Sequence, residues 1–242
     1  MSGGQPVTVH AAHPARYWVI VPAAGSGQRM AGTLPKQYLP LAGRSVLEWS
    51  LAPFLARPEF HSIVVALAAG DTRWATLPLS RDKRILAVTG GAERADSVRA
   101  GLMAIAEHAH VQDWVLVHDA ARPCLDPRDL NQLLATLADD PVGGLLAAPV
   151  PDTLKRAGAD GRVDVTVSRA QLWRALTPQM FRYGVLRQAL EQSGGGAQIT
   201  DESSAVEALG LKPLLVAGRS DNLKITVAED IAIAERQLAH LG

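Results

Sequence analysis

Short runs of β-branched and other apolar residues alternate along this chain with longer stretches whose apolar positions recur every three or four residues. Residues 17–22 (YWVIVP), 62–68 (SIVVALA), 85–89, 114–118 (WVLVH) and 144–149 are apolar almost without a break, the pattern of strands buried on both faces. Between them, a helix is predicted over 46–56, with Ser45 and Glu48 spaced as a capping box. Val98, Leu102, Ile105 and Ala109 share one helical face. Asp126 is placed to cap a further helix, with Pro127 at its first position and Leu130, Leu133, Leu134 and Leu137 as its core stripe. This alternation predicts an α/β fold, a mostly parallel sheet with helices on both faces. Ligands of such folds sit outside the carboxyl ends of the strands. The polar loops after YWVIVP and WVLVH fall at two such ends.

The alternation breaks at 150–176, where Pro, Gly and charges are mixed and Val163, Val165 and Val167 recur at every second position. This predicts a protruding hairpin or dimerisation arm, a plain surface excursion being the other reading. Beyond it the pattern predicts helices over 178–192 and 200–209, the second ended by Gly210, and a strand over 214–217. A last helix is predicted over 227–241, with Thr226 and Glu229 as its capping box. Ser193 and the three glycines after it read as a flexible turn.

Composition narrows the picture. The 242 residues carry 24 Lys plus Arg and 24 Asp plus Glu, a net charge of zero, which excludes a general nucleic-acid or anionic-membrane binder but not a small, highly charged ligand. The single cysteine, Cys124, excludes an intrachain disulfide and reads as a buried small hydrophobe. No run of 18 apolar residues is present, and the polar start lacks the apolar segment of a signal peptide. A cytoplasmic protein is expected, with a disordered tail over 1–15 and one domain over 16–242.

Four strings carry candidate chemistry. Residues 22–37 (PAAGSGQRMAGTLPKQ) place glycines after a strand, so that backbone N–H groups approach a ligand, with Arg29 and Lys36 as cations nearby. Met30 stands where a dinucleotide fingerprint needs its third glycine, and Pro35-Lys36-Gln37 does not fit a Walker loop. In residues 118–123 (HDAARP), Asp119 suits a Mg²⁺ ion, and Arg122 suits either an anion or an ion pair that holds the loop. Residues 90–98 (GGAERADSV) suit hydrogen bonding to a base or ribose, or an ordinary helix entry. Lys224, in NLKIT, suits a phosphate or plain solvent exposure. No nucleophile elbow or zinc spacing is found.

Taken in order, PAAGxGxRM…PKQ, GGxxRxDSV, VHDAARP, DTLKR, LTPQ, TDESS and NLKIT resemble the 2-C-methyl-D-erythritol 4-phosphate cytidylyltransferase family, over about residues 18–237. The resemblance implies a Rossmann-like nucleotidyltransferase fold whose β-arm clasps a second subunit. It implies transfer of CMP from CTP to methylerythritol phosphate, with Mg²⁺ and release of pyrophosphate. Carried over by position, Ala23, Ala24 and Gly25 would contact CTP, and Gly91 and Ser97 would read cytosine. Asp119 would contact ribose or metal. Arg29, Lys36 and Lys224 would hold and neutralise the phosphates as the catalytic cations. Thr153, Arg169, Thr177 and Thr200 would line the acceptor pocket, with Arg122 beside them in the substrate-binding set. Members often carry an acidic residue after the glycine pair, where this chain has Ala92. The nearest rivals are another sugar-phosphate nucleotidylyltransferase and a non-catalytic nucleotide-binding protein.

Overall fold

The computed structural model describes residues 15–25, 34–192 and 199–240. The expected tail therefore lies almost wholly outside the described residues, as do the turn at 193–196 and Arg29. Strands are β1 (Tyr17–Ala23), β2 (Pro40–Leu41), β3 (Arg44–Ser45), β4 (Phe60–Leu67), β5 (Ile85–Thr89), β6 (Trp114–Val117), β7 (Gly143–Pro149), β8 (Leu154–Ala157), β9 (Val163–Val167), β10 (Trp173–Arg182) and β11 (Leu214–Ala217). Helices are α1 (Val46–Leu55), α2 (Arg94–Ala104), α3 (Pro127–Leu137), α4 (Tyr183–Gln192), α5 (Glu202–Ala208) and α6 (Glu229–Leu238).

Among the described residues, seven strands form one sheet in the order β11-β7-β10-β6-β1-β4-β5. β1 pairs in parallel with β4 and β6, β4 with β5, and β7 with β11. β10 is antiparallel to both its neighbours, β6 and β7. The carboxyl ends of β1, β4, β5, β6, β7 and β11 therefore share one edge, and β10 begins there.

Side-chain alternation divides the core. Val19, Val21 and Ala23 of β1 pack in one layer with Leu47, Leu51 and Phe54 of α1 and Leu130, Leu133 and Leu137 of α3. Trp18 and Ile20 face the opposite layer, against Val98 and Leu102 of α2, Leu186 and Leu190 of α4, and Ala205 and Val206 of α5. A smaller cluster seats Ala234 and Leu238 of α6 on Leu41, Val46, Cys124 and Ile225. Cys124 is thus a buried apolar group, and burial pushes its thiol up to about 12. No helix among the described residues is long and apolar enough to cross a membrane.

The helix expected over 178–192 begins only at Tyr183. Residues 179–182 instead pair with β6, Gln179 opposite Val117 through Arg182 opposite Trp114. The centre of the sheet outweighs local helical periodicity here, because Met180 and Phe181 bury on opposite faces, in the two different layers. The last helix also differs. Its entry is held by Asp230, not Glu229: the Asp230 carboxylate accepts from Thr226 N (2.7 Å), Thr226 Oγ1 (2.9 Å) and Val227 N (3.0 Å). Thr226 and Val227 therefore sit before the helix rather than in its first turn, and α6 starts at Glu229. The capping box at Ser45 and Glu48 forms as expected, and Asp126 caps α3 through Arg128 N.

The break at 150–176 holds a hairpin. β8 and β9 pair antiparallel with each other and, among the described residues, with no other strand. Val163, Val165, Val167, Leu172 and Trp173 are all exposed.

Candidate active site

Three turns at the carboxyl edge, with the segment before α6, line one open cleft. The first turn follows β1. Buried Gln37 donates from Nε2 to Ala23 O (2.7 Å), tying the turn after β1 to the short helical turn at Lys36–Tyr38. Lys36 Nζ donates to Ile225 O (3.3 Å), which brings it beside the segment that carries Lys224.

The second turn leads from β5 into α2. A Cβ on Gly90 would lie 2.6 Å from Ser97 Oγ, and one on Gly91 would lie 2.2 Å from Asp96 Cβ. The glycine pair is therefore required by close approach of the helix start. Gly91 N donates to Ser97 Oγ (3.2 Å), so buried Ser97 shapes the loop that it also lines.

The third turn follows β6. His118 is fully buried, and burial lowers its pKa to about 4, so the ring is neutral near pH 7. Its Nε2 is 3.1 Å from Arg122 O, an atom that only accepts, so Nε2 carries the proton. Nδ1 then accepts from Thr177 Oγ1 (2.9 Å), and Thr177 Oγ1 accepts from Asp119 N (3.1 Å). This chain of bonds fixes the backbone of Asp119 from beneath.

The Asp119 carboxylate meets three cations. Arg94 Nε donates to Oδ1 (3.0 Å), while Lys224 Nζ (2.9 Å) and Arg122 Nε (3.3 Å) reach Oδ2. Burial alone would raise the Asp119 pKa, but the charges of Arg94, Lys224 and Arg122 outweigh it and hold the group well below the usual carboxylate range. Arg94 also forks onto buried Glu202 of α5, NH1 to Oε1 at 2.5 Å and NH2 to Oε2 at 2.9 Å. Burial raises the pKa of Glu202 against the pull of Arg94. Burial would lower that of Arg94, but Glu202 and Asp119 reverse the direction.

Of the residues expected to act, Ala23, Ala24, Gly25, Lys36, Gly91, Ser97, Asp119 and Lys224 line this one cleft. Ala92 lines it too. Thr177 lies directly behind it, buried, on Asp119 N. Arg122 does not line the cleft. It holds Asp119 and donates from NH1 to Asn222 O (2.6 Å), the loop-holding arrangement of its two sequence readings. Thr153, Arg169 and Thr200 are exposed and outside the cleft lining of this chain.

Sequence reasoning assigned nothing to Arg94, Glu202 or Gln37. A signal for Glu202 exists. It precedes Ala205, Val206 and Leu209 at helical spacing, and a carboxylate on an apolar face calls for a buried cation.

A glycine-lined, cation-rich cleft at the carboxyl edge of a parallel sheet suits a phosphorylated ligand, and fold and site together define an α/β nucleotidyltransferase. The chain belongs to the 2-C-methyl-D-erythritol 4-phosphate cytidylyltransferase family, whose model matches residues 17–240. A protein of that name from Ectopseudomonas mendocina is 58% identical over 219 residues, which cover 90% of this chain and 93% of that one. The protein of that name from Pseudomonas aeruginosa is 52% identical, over 93% of this chain and 97% of its own. Among solved structures, 4-diphosphocytidyl-2C-methyl-D-erythritol synthase superposes with a TM-score of 0.82 at 37% identity, over 93% of this chain and all of that one. The Francisella tularensis 2-C-methyl-D-erythritol 4-phosphate cytidylyltransferase gives 0.80 at 34%, over 92% of this chain and all of its own.

Proposed function

We propose that this chain transfers CMP from CTP to 2-C-methyl-D-erythritol 4-phosphate and releases pyrophosphate. The observation that carries the reading is the convergence of Lys36 and Lys224 with the glycine-lined turns in one cleft. The acceptor is a phosphate monoester and already a nucleophile near neutral pH, so no general base is required. The obstacle is charge. Two like charges about 4 Å apart repel by ~1 kcal/mol in water and several-fold more at lower effective dielectric. Lys36, Lys224 and Arg29 answer that obstacle by neutralising charge at the α-phosphate and the leaving pyrophosphate, in a direct in-line displacement with no covalent enzyme intermediate.

Backbone at Ala23, Ala24 and Gly25 cradles the triphosphate, and Gly91 and Ser97 face the base. Ala92 removes no backbone group, so base reading there rests on the main chain. A divalent cation fits the donor set. Asp119 would be its carboxylate ligand, in exchange for one of the cations now on it, with phosphate oxygens of the nucleotide and water as the other ligands, a donor set that suits Mg²⁺. Bound there, Mg²⁺ would screen the triphosphate charge. Thr177, Thr200, Thr153 and Arg169 form the acceptor pocket, with Arg122 behind it, and Thr153 and Arg169 come from the arm of a partner subunit. The exposed valines of β9 support that pairing, because an apolar face of this kind is normally covered. The catalytic unit spans 16–242 and works in the cytoplasm.

The test is metal-dependent pyrophosphate release that requires both CTP and the methylerythritol phosphate. Turnover with UTP or dTTP and a sugar 1-phosphate, but not with CTP, would overturn the reading. Deleting 155–168 is expected to yield a monomer by light scattering, and a surviving dimer would remove the arm from the assembly.

A further inference from the structure

We propose that Glu202 and Arg94 are positioning residues that place Lys224 for phosphate transfer. The inference rests on the function proposed above and deepens it. Glu202 lies in the first turn of α5, two positions after Thr200, and its side chain is 1% exposed. Arg94 is the first residue of α2, on the nucleotide side of the cleft. The pair thus spans two elements that are 108 residues apart in sequence.

The geometry divides the guanidinium. Both terminal nitrogens of Arg94 donate to the two oxygens of Glu202, and its Nε donates to Asp119. Asp119 thus offers Oδ1 to Arg94, while Oδ2 receives Lys224 at 2.9 Å and Arg122 at 3.3 Å. An arginine prefers to grip one carboxylate with two parallel bonds. Once the charge of Glu202 is removed, the two terminal nitrogens lose their carboxylate partner. The fork turns onto both oxygens of Asp119 and drives Lys224 off Oδ2. Each nitrogen of the Arg94 head group donates to a carboxylate, so its charge is already engaged by Glu202 and Asp119. Glu202 and Arg94 act through Asp119 on Lys224.

The test is a double-mutant cycle. Glu202→Gln is expected to lower kcat by about tenfold or more with little change in the KM for CTP, the pattern of a lost transition-state interaction. In a Lys224→Ala background the same substitution is expected to cost less than about twofold, because the group it positions is gone. Arg94→Lys keeps the charge but has no fork, and is expected to behave as Glu202→Gln does and to add little to it. Equal losses from Glu202→Gln in both backgrounds would mean a purely structural role and overturn the proposal. Where Glu202→Gln does not fold, Glu202→Asp carries the same cycle, with its carboxylate drawn back by one methylene. A crystal structure of the variant reads the cause directly. Arg94 gripping both oxygens of Asp119 with Lys224 displaced supports the proposal, and Lys224 still on Oδ2 overturns it. That arm decides even if the wild type releases no pyrophosphate from CTP, in which case the proposed function fails by itself.

Discussion

The cleft holds its polar side chains in place by burying them, whereas the β8–β9 hairpin orders its own only by pairing across two exposed strands. In and behind the cleft, His118, Thr177, Asp119 and Glu202 are almost completely enclosed, and each has a partner from a distant part of the chain. In the hairpin, the bonds are between neighbours in solvent, such as Lys155 Nζ to Thr166 Oγ1 (2.7 Å) and the Arg156–Asp164 pair. Exposed pairs of this kind contribute about 0–1 kcal/mol. A buried polar group without its partner costs more than that. The cleft is thus organised by buried partners from distant parts of the chain, while the hairpin is held by pairs open to solvent.

Substitutions in the two regions should differ accordingly. The largest effect belongs to the cleft cations. Lys224→Ala and Lys36→Ala are each expected to reduce kcat by about 10²–10³, the scale of losing one preorganised donor, with the fold retained by circular dichroism. A near-wild-type kcat for either would remove that lysine from the mechanism. Next comes His118. Its folded pKa of about 4 lies below the unfolded value of roughly 6.5. The unfolded chain therefore takes up a proton between these values that the folded protein refuses. Stability is fully present above about pH 6.5 and is lost as pH falls toward 4, by up to about 3 kcal/mol. Urea midpoints over that range should decline in the wild type and stay flatter in His118→Gln. A matching slope in both would refute the assignment. Asp119 adds a separate loss only at lower pH, beneath the ordinary carboxylate range.

Hairpin changes should spare kcat and stability. Arg169→Ala is expected to raise the KM for the methylerythritol phosphate by about 10–100-fold, the worth of a charged hydrogen bond, with the KM for CTP little altered. Equal effects on both substrates would separate the arm from the acceptor pocket. The smallest effect is that of Thr166→Val, expected to shift stability by less than about 0.5 kcal/mol in thermal unfolding. A larger loss would show that the hairpin supports the fold as well as the acceptor.

The same contrast explains what could be read from the sequence. Strands such as 17–22 and 114–118 are legible because burial on both faces leaves a continuous apolar run. The cleft turns are legible because glycines and cations stand at fixed offsets from those strands. β10 was not, since LTPQMF carries Pro178 and mixes polar with apolar residues, and only its two neighbours in the sheet decide its conformation. The entry to α6 was misread by one residue because Glu229 and Asp230 both stand within reach of Thr226 in sequence, and only backbone geometry chooses between them. The Arg94–Glu202 pair lies further from local pattern, as no periodicity links residues so distant along the chain.

The reversed direction of β10 has an architectural consequence. Because β7 ends and β10 begins at the same edge as the cleft, whatever is spliced between Pro149 and Trp173 emerges at that edge, while the sheet registers on either side stay as they are. The insertion point behaves as a socket. Hairpins of different length or composition can be exchanged there while the sheet and the cleft stay as they are.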